Sequence, residues 1–115
     1  MADFMYLFRG GDSAWANRSP EEIQKHMQRW GAWMGELTKS GHFKAGEPLA
    51  REGRQLVGKD RRLVDGPFAE AKDIVGGYLI VQAKDINEAT ELARGCPIFD
   101  HDGIVEIRPV QQMKT

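Results

Sequence analysis

Residues 65–72 read Asp65-Gly66-Pro67-Phe68-Ala69-Glu70-Ala71-Lys72, and four residues later Gly76-Gly77-Tyr78-Leu79-Ile80-Val81 begins a strand. Asp65 and Gly66 suit a sharp turn, Pro67 pins φ and removes an amide donor, and Phe68 needs an apolar slot that stops the turn wandering. The stretch therefore predicts an ordered turn, and after it a strand in which Tyr78, Ile80 and Gln82 alternate with Leu79, Val81 and Ala83. Gly76-Gly77 reads as punctuation at the strand's start.

Upstream, Gln55-Leu56-Val57-Gly58 and Arg61-Arg62-Leu63-Val64 flank Lys59-Asp60 and predict a hairpin with a polar tip. His42-Phe43-Lys44-Ala45-Gly46 reads as a short strand before it, and Phe4-Met5-Tyr6-Leu7-Phe8 as a first strand with large apolar groups on both faces. Between these two strands, Ser19-Pro20-Glu21-Glu22 marks a helix start: Ser19 is the N-cap, Pro20 sits in the first turn and Glu22 completes a capping box. The helix is expected to run to about Ser40 and stop at Gly41, with a buried stripe of Ile23, Met27, Trp30, Met34 and Leu37 and with His26 and Trp33 on its flank. Gly31 and Gly35 each weaken it by about 1 kcal/mol relative to alanine, which asks for a close approach or compensating packing on their side.

Downstream, residues 68–75 suggest a turn or short helix. Asp85-Ile86-Asn87-Glu88 repeats the capping-box pattern and opens a second helix, whose stripe of Ile86, Ala89, Leu92, Ala93 and Cys96 closes before Pro97. Residues 103–110 form the last strand. The order is β-α-β-β-α-β, an α+β ferredoxin-like pattern with an inserted hairpin and turn, the helices lying on one face of an antiparallel sheet. Strands that are apolar on both sides need cover on the other face too, and the economical cover is a partner sheet, giving a dimeric α+β barrel.

The Asp65–Lys72 stretch, together with Val105-Glu106-Ile107-Arg108-Pro109-Val110, resembles the DGPF subgroup of the YCII-related family over nearly the whole chain. The resemblance implies the same homodimeric barrel. It also implies a histidine on the first helix that works with an acidic residue near the sheet. Counted back from Gly41, that histidine position falls at Trp30, and His26 lies one turn earlier on the same face. Some relatives in this resemblance act as ring-cleavage or dehalogenation-type lyases, and the wider superfamily includes lactone isomerases and monooxygenases; fold alone does not choose among them. Other relatives resemble domains beside or fused to alternative sigma factors, which implies a protein partner in transcription.

The candidate chemistry is sparse. His26 stands near Trp30 and Trp33, where a histidine is either a half-buried structural residue or a proton-transfer group. Asp65 either caps the amides of its own turn or serves as a base, and Glu70 either pairs with Lys72 or points inward beside Asp65. On the last strand Val105 and Ile107 suit the helix side, so Glu106 and Arg108 are expected on the opposite, dimer-side face. There they form an intersubunit salt bridge, or Arg108 holds an anion in a cavity lined by Tyr6, Trp33 and Tyr78.

Bulk numbers narrow the partners. The 115 residues fit a single domain over 1–115, and sixteen basic against seventeen acidic side chains leave no field to draw the protein onto nucleic acid or an anionic membrane. Residues 44–62 carry six basic against three acidic side chains, a modest local excess of +3 that suits a soluble hairpin as well as an anion site. Cys96 is the single cysteine, which excludes an intrachain disulfide and reads as a buried structural thiol. No apolar run approaches the roughly 20 residues of a membrane span, and the expected compartment is the cytoplasm. His26, His42 and His101 have no metal-ligand spacing, the His101-Asp102 pair reads as a turn, and no phosphate loop or nucleophile elbow occurs. The expectation is a cofactor-free, metal-free protein that binds a small aromatic or acidic molecule and does any chemistry by proton transfer, as lyase, isomerase or hydrolase. The alternative is a non-enzymatic regulatory module.

Overall fold

The computed structural model describes residues 1–10, 18–65 and 74–113. The elements run β1 (Ala2–Arg9), α1 (Pro20–Lys39), β2 (Phe43–Pro48), β3 (Arg54–Val57), β4 (Arg62–Asp65), β5 (Val75–Ala83), α2 (Ile86–Ala93), a 3₁₀ turn (Pro97–His101) and β6 (Ile104–Pro109). Four strands form an antiparallel sheet in the order β2-β5-β1-β6, and β3 pairs with β4 as a separate hairpin. With the hairpin set aside, this is the ferredoxin-like strand order expected from the element pattern. Residues 66–72 of the opening stretch, Glu70 included, and most of the turn or short helix expected before β5 lie outside the described residues.

Both helices begin as the sequence predicts. Glu22 N–H donates to Ser19 Oγ at 3.2 Å with Pro20 in the first turn, and Glu88 N–H donates to Asp85 Oδ1 at 2.8 Å. Gly41 takes φ +80° after α1, the left-handed conformation that a glycine adopts without a Cβ penalty.

Strand alternation sorts the side chains. Phe4, Tyr6 and Phe8 of β1, Leu79 and Val81 of β5, and Val105 and Ile107 of β6 share the face covered by the helices. Met5, Leu7, Tyr78, Ile80, Glu106 and Arg108 share the open face. Tyr6 is fully buried, its ring stacked on Trp33 with centroids 6.2 Å apart. Small residues let α2 come down close: Ala89 and Ala93 are buried, and Tyr6 Oη donates to the Ala89 carbonyl at 2.5 Å.

Two helix stripes differ from expectation. On α1 the buried residues are His26, Trp33 and Leu37, with Trp30 half-buried between them, whereas Met27 is 61% exposed. The helix is rotated so that the line 26, 30, 33, 37 faces the sheet, because this line carries the wide aromatic groups that fill the gap over β1. On α2, Ile86 is exposed and the smaller alanines take the contact. An added Cβ at Gly31 or Gly35 meets no atom within 4 Å, so neither glycine serves a close approach.

The hairpin carries its own apolar pair, Leu56 opposite Leu63, at 68% and 51% exposure.

Candidate functional site

Between α1, the β2–β5 half of the sheet and the 3₁₀ turn lies a cavity of about 400 Å³. Its apolar wall includes Phe8, Trp30, Met34, Phe43 and Leu79. Two glycines on its wall let neighbouring chain pack closely. Gly46 follows the irregularity between Phe43 and Ala45 in β2, and a Cβ there would come within 2.7 Å of the Tyr78 carbonyl oxygen and would overlap the Leu79 side chain. Gly77, within β5 and not merely at its start, has the Glu47 carbonyl 3.1 Å from where its Cβ would stand.

The wall carries Glu47 from β2 and two histidines, His26 from α1 and His101 from the 3₁₀ turn, whose ring centroids are 4.5 Å apart. Trp30 Nε1–H donates to His26 Nε2 at 2.8 Å. A neutral imidazole whose Nε2 accepts carries its proton on Nδ1. Burial, followed by the repulsion of His101, pulls the His26 pKa below its ordinary value; Arg29 and Arg18 act in the same direction, and Asp100 opposes them. Arg18 lies 3.5 Å from His101 Nδ1, and Arg29 forms an ion pair with Asp100.

The sequence dismissed His101 as a turn residue, and no spacing signal points to it. What brings it to His26 is topology: β6 pairs antiparallel with β1, Arg9 opposite Ile104, so the turn leading into β6 returns beside Gly10 at the end of β1.

The other expected site residues are dispersed. Tyr6 and Trp33 lie beneath the cavity with their polar tips already engaged, Tyr6 on the Ala89 carbonyl and Trp33 Nε1 on the Leu92 carbonyl at 3.0 Å. Trp33 thereby satisfies a carbonyl of the last turn of α2, and Gly95 admits its indole, since a Cβ there would stand 3.2 Å from Trp33 Cδ1. Burial raises the Tyr6 pKa well above the usual tyrosine range and pushes the Cys96 thiol up to about 12. Glu106 and Arg108 occupy the open face, as alternation predicts, but a cavity shared by Tyr6, Trp33 and Arg108 is ruled out because the sheet separates them. The charge on that face is paired within the chain: Arg9 Nε is 3.3 Å from Glu106 Oε1, and Arg108 Nε is 3.9 Å from Glu106 Oε2. Tyr78 borders the cavity as part of β5, while strand alternation assigns its side chain to the open face. Asp65 is not among the lining residues; it ends the hairpin opposite Arg54, whose Nε is 3.0 Å from its carboxylate, so His26 and Asp65 do not form a pair.

Among the described residues no cluster of three or more His, Cys, Asp or Glu side chains could hold a metal ion, and no helix is long and apolar enough to cross a membrane.

The family model described as the YCII-related domain matches residues 4–114. No curated protein matches the chain. Among solved structures it is similar to 5-chloro-2-hydroxyhydroquinone dehydrochlorinase from Burkholderia phenoliruptrix AC1100 in complex with 2,5-dihydroxybenzoquinone. The two chains are 19% identical, the match covers 92% of this chain and 91% of that one, and the TM-score is 0.42.

Proposed function

The chain belongs to the YCII-related domain family, and we propose that it binds a small aromatic or acidic molecule in the cavity between α1 and the sheet. The observation that carries this reading is the cavity itself: about 400 Å³, walled by aromatic and aliphatic side chains, with His26 and His101 as neighbouring imidazoles and Glu47 of β2 as the one acidic residue among its described lining. Small-molecule sites have this size and this ratio of apolar wall to convergent polar groups. Trp30 and Phe8 offer ring faces and edges to an aromatic body. A carboxylate or phenolate oxygen accepts a hydrogen bond from the Nδ1–H of His26.

Where the protein does chemistry, its own groups suit cofactor-free proton transfer of a lyase, isomerase or hydrolase type. His26 orients the reacting group by a hydrogen bond, and His101 beside it is the imidazole that takes up and returns the proton, the role expected of Asp65. The DGPF-type subgroup remains the reading of the 65–72 stretch.

The open face supports a homodimer. Met5, Leu7, Tyr78 and Ile80 form its apolar centre, and Arg9 neutralises Glu106 beside them, so a second copy of the same face meets mostly apolar surface under two-fold symmetry.

A thermal-shift screen against aromatic carboxylates and phenols tests the ligand reading. The expected result is a rise in melting temperature with at least one compound class; a screen across both classes with no shift overturns it.

A further inference from the structure

We propose that Trp30 is a positioning residue that presents His26 to the cavity as a single tautomer, neutral and protonated on Nδ1. The functional meaning of this rests on the cavity being the ligand site; the tautomer itself does not.

The geometry is a relay of fixed rings. Residues 26 and 30 lie one helical turn apart on α1 and share a face. The Trp30 indole is held edge-to-face by Phe8 of β1, with centroids 5.2 Å apart at 86°, and by Trp33, 5.7 Å apart at 79°. Held this way, its one N–H is aimed at His26 Nε2, 2.8 Å away. An indole nitrogen can only donate, so the nitrogen it meets must accept. Protonating His26 at Nε2 would set two N–H groups against each other in a nearly buried place, where His26 is 8% exposed.

The surroundings act in the same direction. Among the described residues, the titratable and charged groups facing His26 are His101 and Asp100 on the 3₁₀ turn, Arg29 on α1 and Arg18 just before it. Of these only Asp100 favours the imidazolium, and Asp100 is ion-paired with Arg29. The consequence for function is directional: His26 meets a ligand as a hydrogen-bond donor, and takes up a proton as a base only if Trp30 lets go.

The test is long-range proton–nitrogen NMR of the histidine rings in the whole chain without ligand, at pH 7.5. In the wild type the two His26 ring nitrogens are expected to give well-separated resonances, with the protonated one at Nδ1. In Trp30→Phe, which keeps a ring between Phe8 and Trp33 but removes the donor, they are expected to converge as the tautomers mix, and the His26 titration midpoint to move to higher pH. A wild-type His26 protonated on Nε2 overturns the proposal without recourse to any variant, and so does a folded Trp30→Phe whose His26 spectrum and midpoint match the wild type. Because no ligand is present, failure here is distinct from failure of the ligand screen.

Discussion

The rings of His26 and His101 stand 4.5 Å apart although they come from opposite ends of the chain, on α1 and on the turn before β6. The register of β1 against β6 makes them neighbours, and the cavity wall gains its two imidazoles from that one strand pairing.

The first prediction concerns acid. His26 has a folded-state pKa below its unfolded value of about 6.5. Its contribution to stability is therefore complete above about pH 6.5 and is lost as pH falls toward the folded value, because the unfolded chain takes up the proton first. Urea titrations are expected to show lower stability at pH 5.5 than at pH 7.5, and an NMR titration to place His26 below pH 6.5. A midpoint above that value contradicts the neutral, desolvated histidine.

The alkaline side has the opposite sign. Tyr6 and Cys96 both have raised pKa values, so they stabilise fully below their unfolded values, about 10 and 8.5, and that stability is lost as pH rises beyond them. The chain is expected to lose stability above about pH 9, and its Cys96 to react with a thiol-specific disulfide reagent only as fast as the protein unfolds. Tyr6→Phe removes the bond to the Ala89 carbonyl and is expected to cost about 1 kcal/mol at neutral pH, read by denaturant titration.

Glycines of α1 and of β2 are expected to respond in opposite directions. Gly35→Ala adds a methyl where nothing stands within 4 Å and removes the helix penalty, so stability rises by about 1 kcal/mol. Gly46→Ala forces a methyl toward the Tyr78 carbonyl and into Leu79, so stability falls by about 1–3 kcal/mol. Thermal unfolding of the two variants side by side checks both signs.

Self-association is expected to run through the open face. Leu7 lies on β1, next to Tyr78 on one side and Glu106 on the other. Leu7→Lys places a charge near the centre of a two-fold contact and is expected to convert the dimer to monomer in light scattering at micromolar concentration. A monomeric wild type, or an undisturbed dimer in the variant, contradicts the barrel.

Much of this architecture is legible in the residue pattern, because caps and alternation are local. Ser19 and Asp85 act as written, and Val105 with Ile107 faces the helices while Glu106 with Arg108 faces away. The rotation of α1 is not legible: two overlapping stripes, one through Met27 and one through His26, both satisfy helical spacing, and the bulk of Trp30 and Trp33 over β1 decides between them. The candidate site was only half visible. Tyr6 and Trp33 look like pocket aromatics in sequence, yet each has a tip that finds a backbone carbonyl of α2, a partner no spacing rule reveals. His101 looks like a turn residue until the strand order is known, and Gly77 looks like a strand boundary until Glu47 is seen to press against it.

The most direct measurement is calorimetric titration of the best aromatic acid or phenol from the screen into three proteins: wild type, Gly31→Leu and Arg108→Ala. Gly31 lines the cavity, and a Cβ there meets nothing within 4 Å, so leucine is accommodated and occupies ligand space; Arg108 lies on the opposite side of the sheet. The account predicts wild-type affinity in Arg108→Ala and a loss of at least about tenfold, or about 1.4 kcal/mol, in Gly31→Leu. Undiminished binding in Gly31→Leu together with loss in Arg108→Ala would place the ligand on the open face and contradict binding in the cavity.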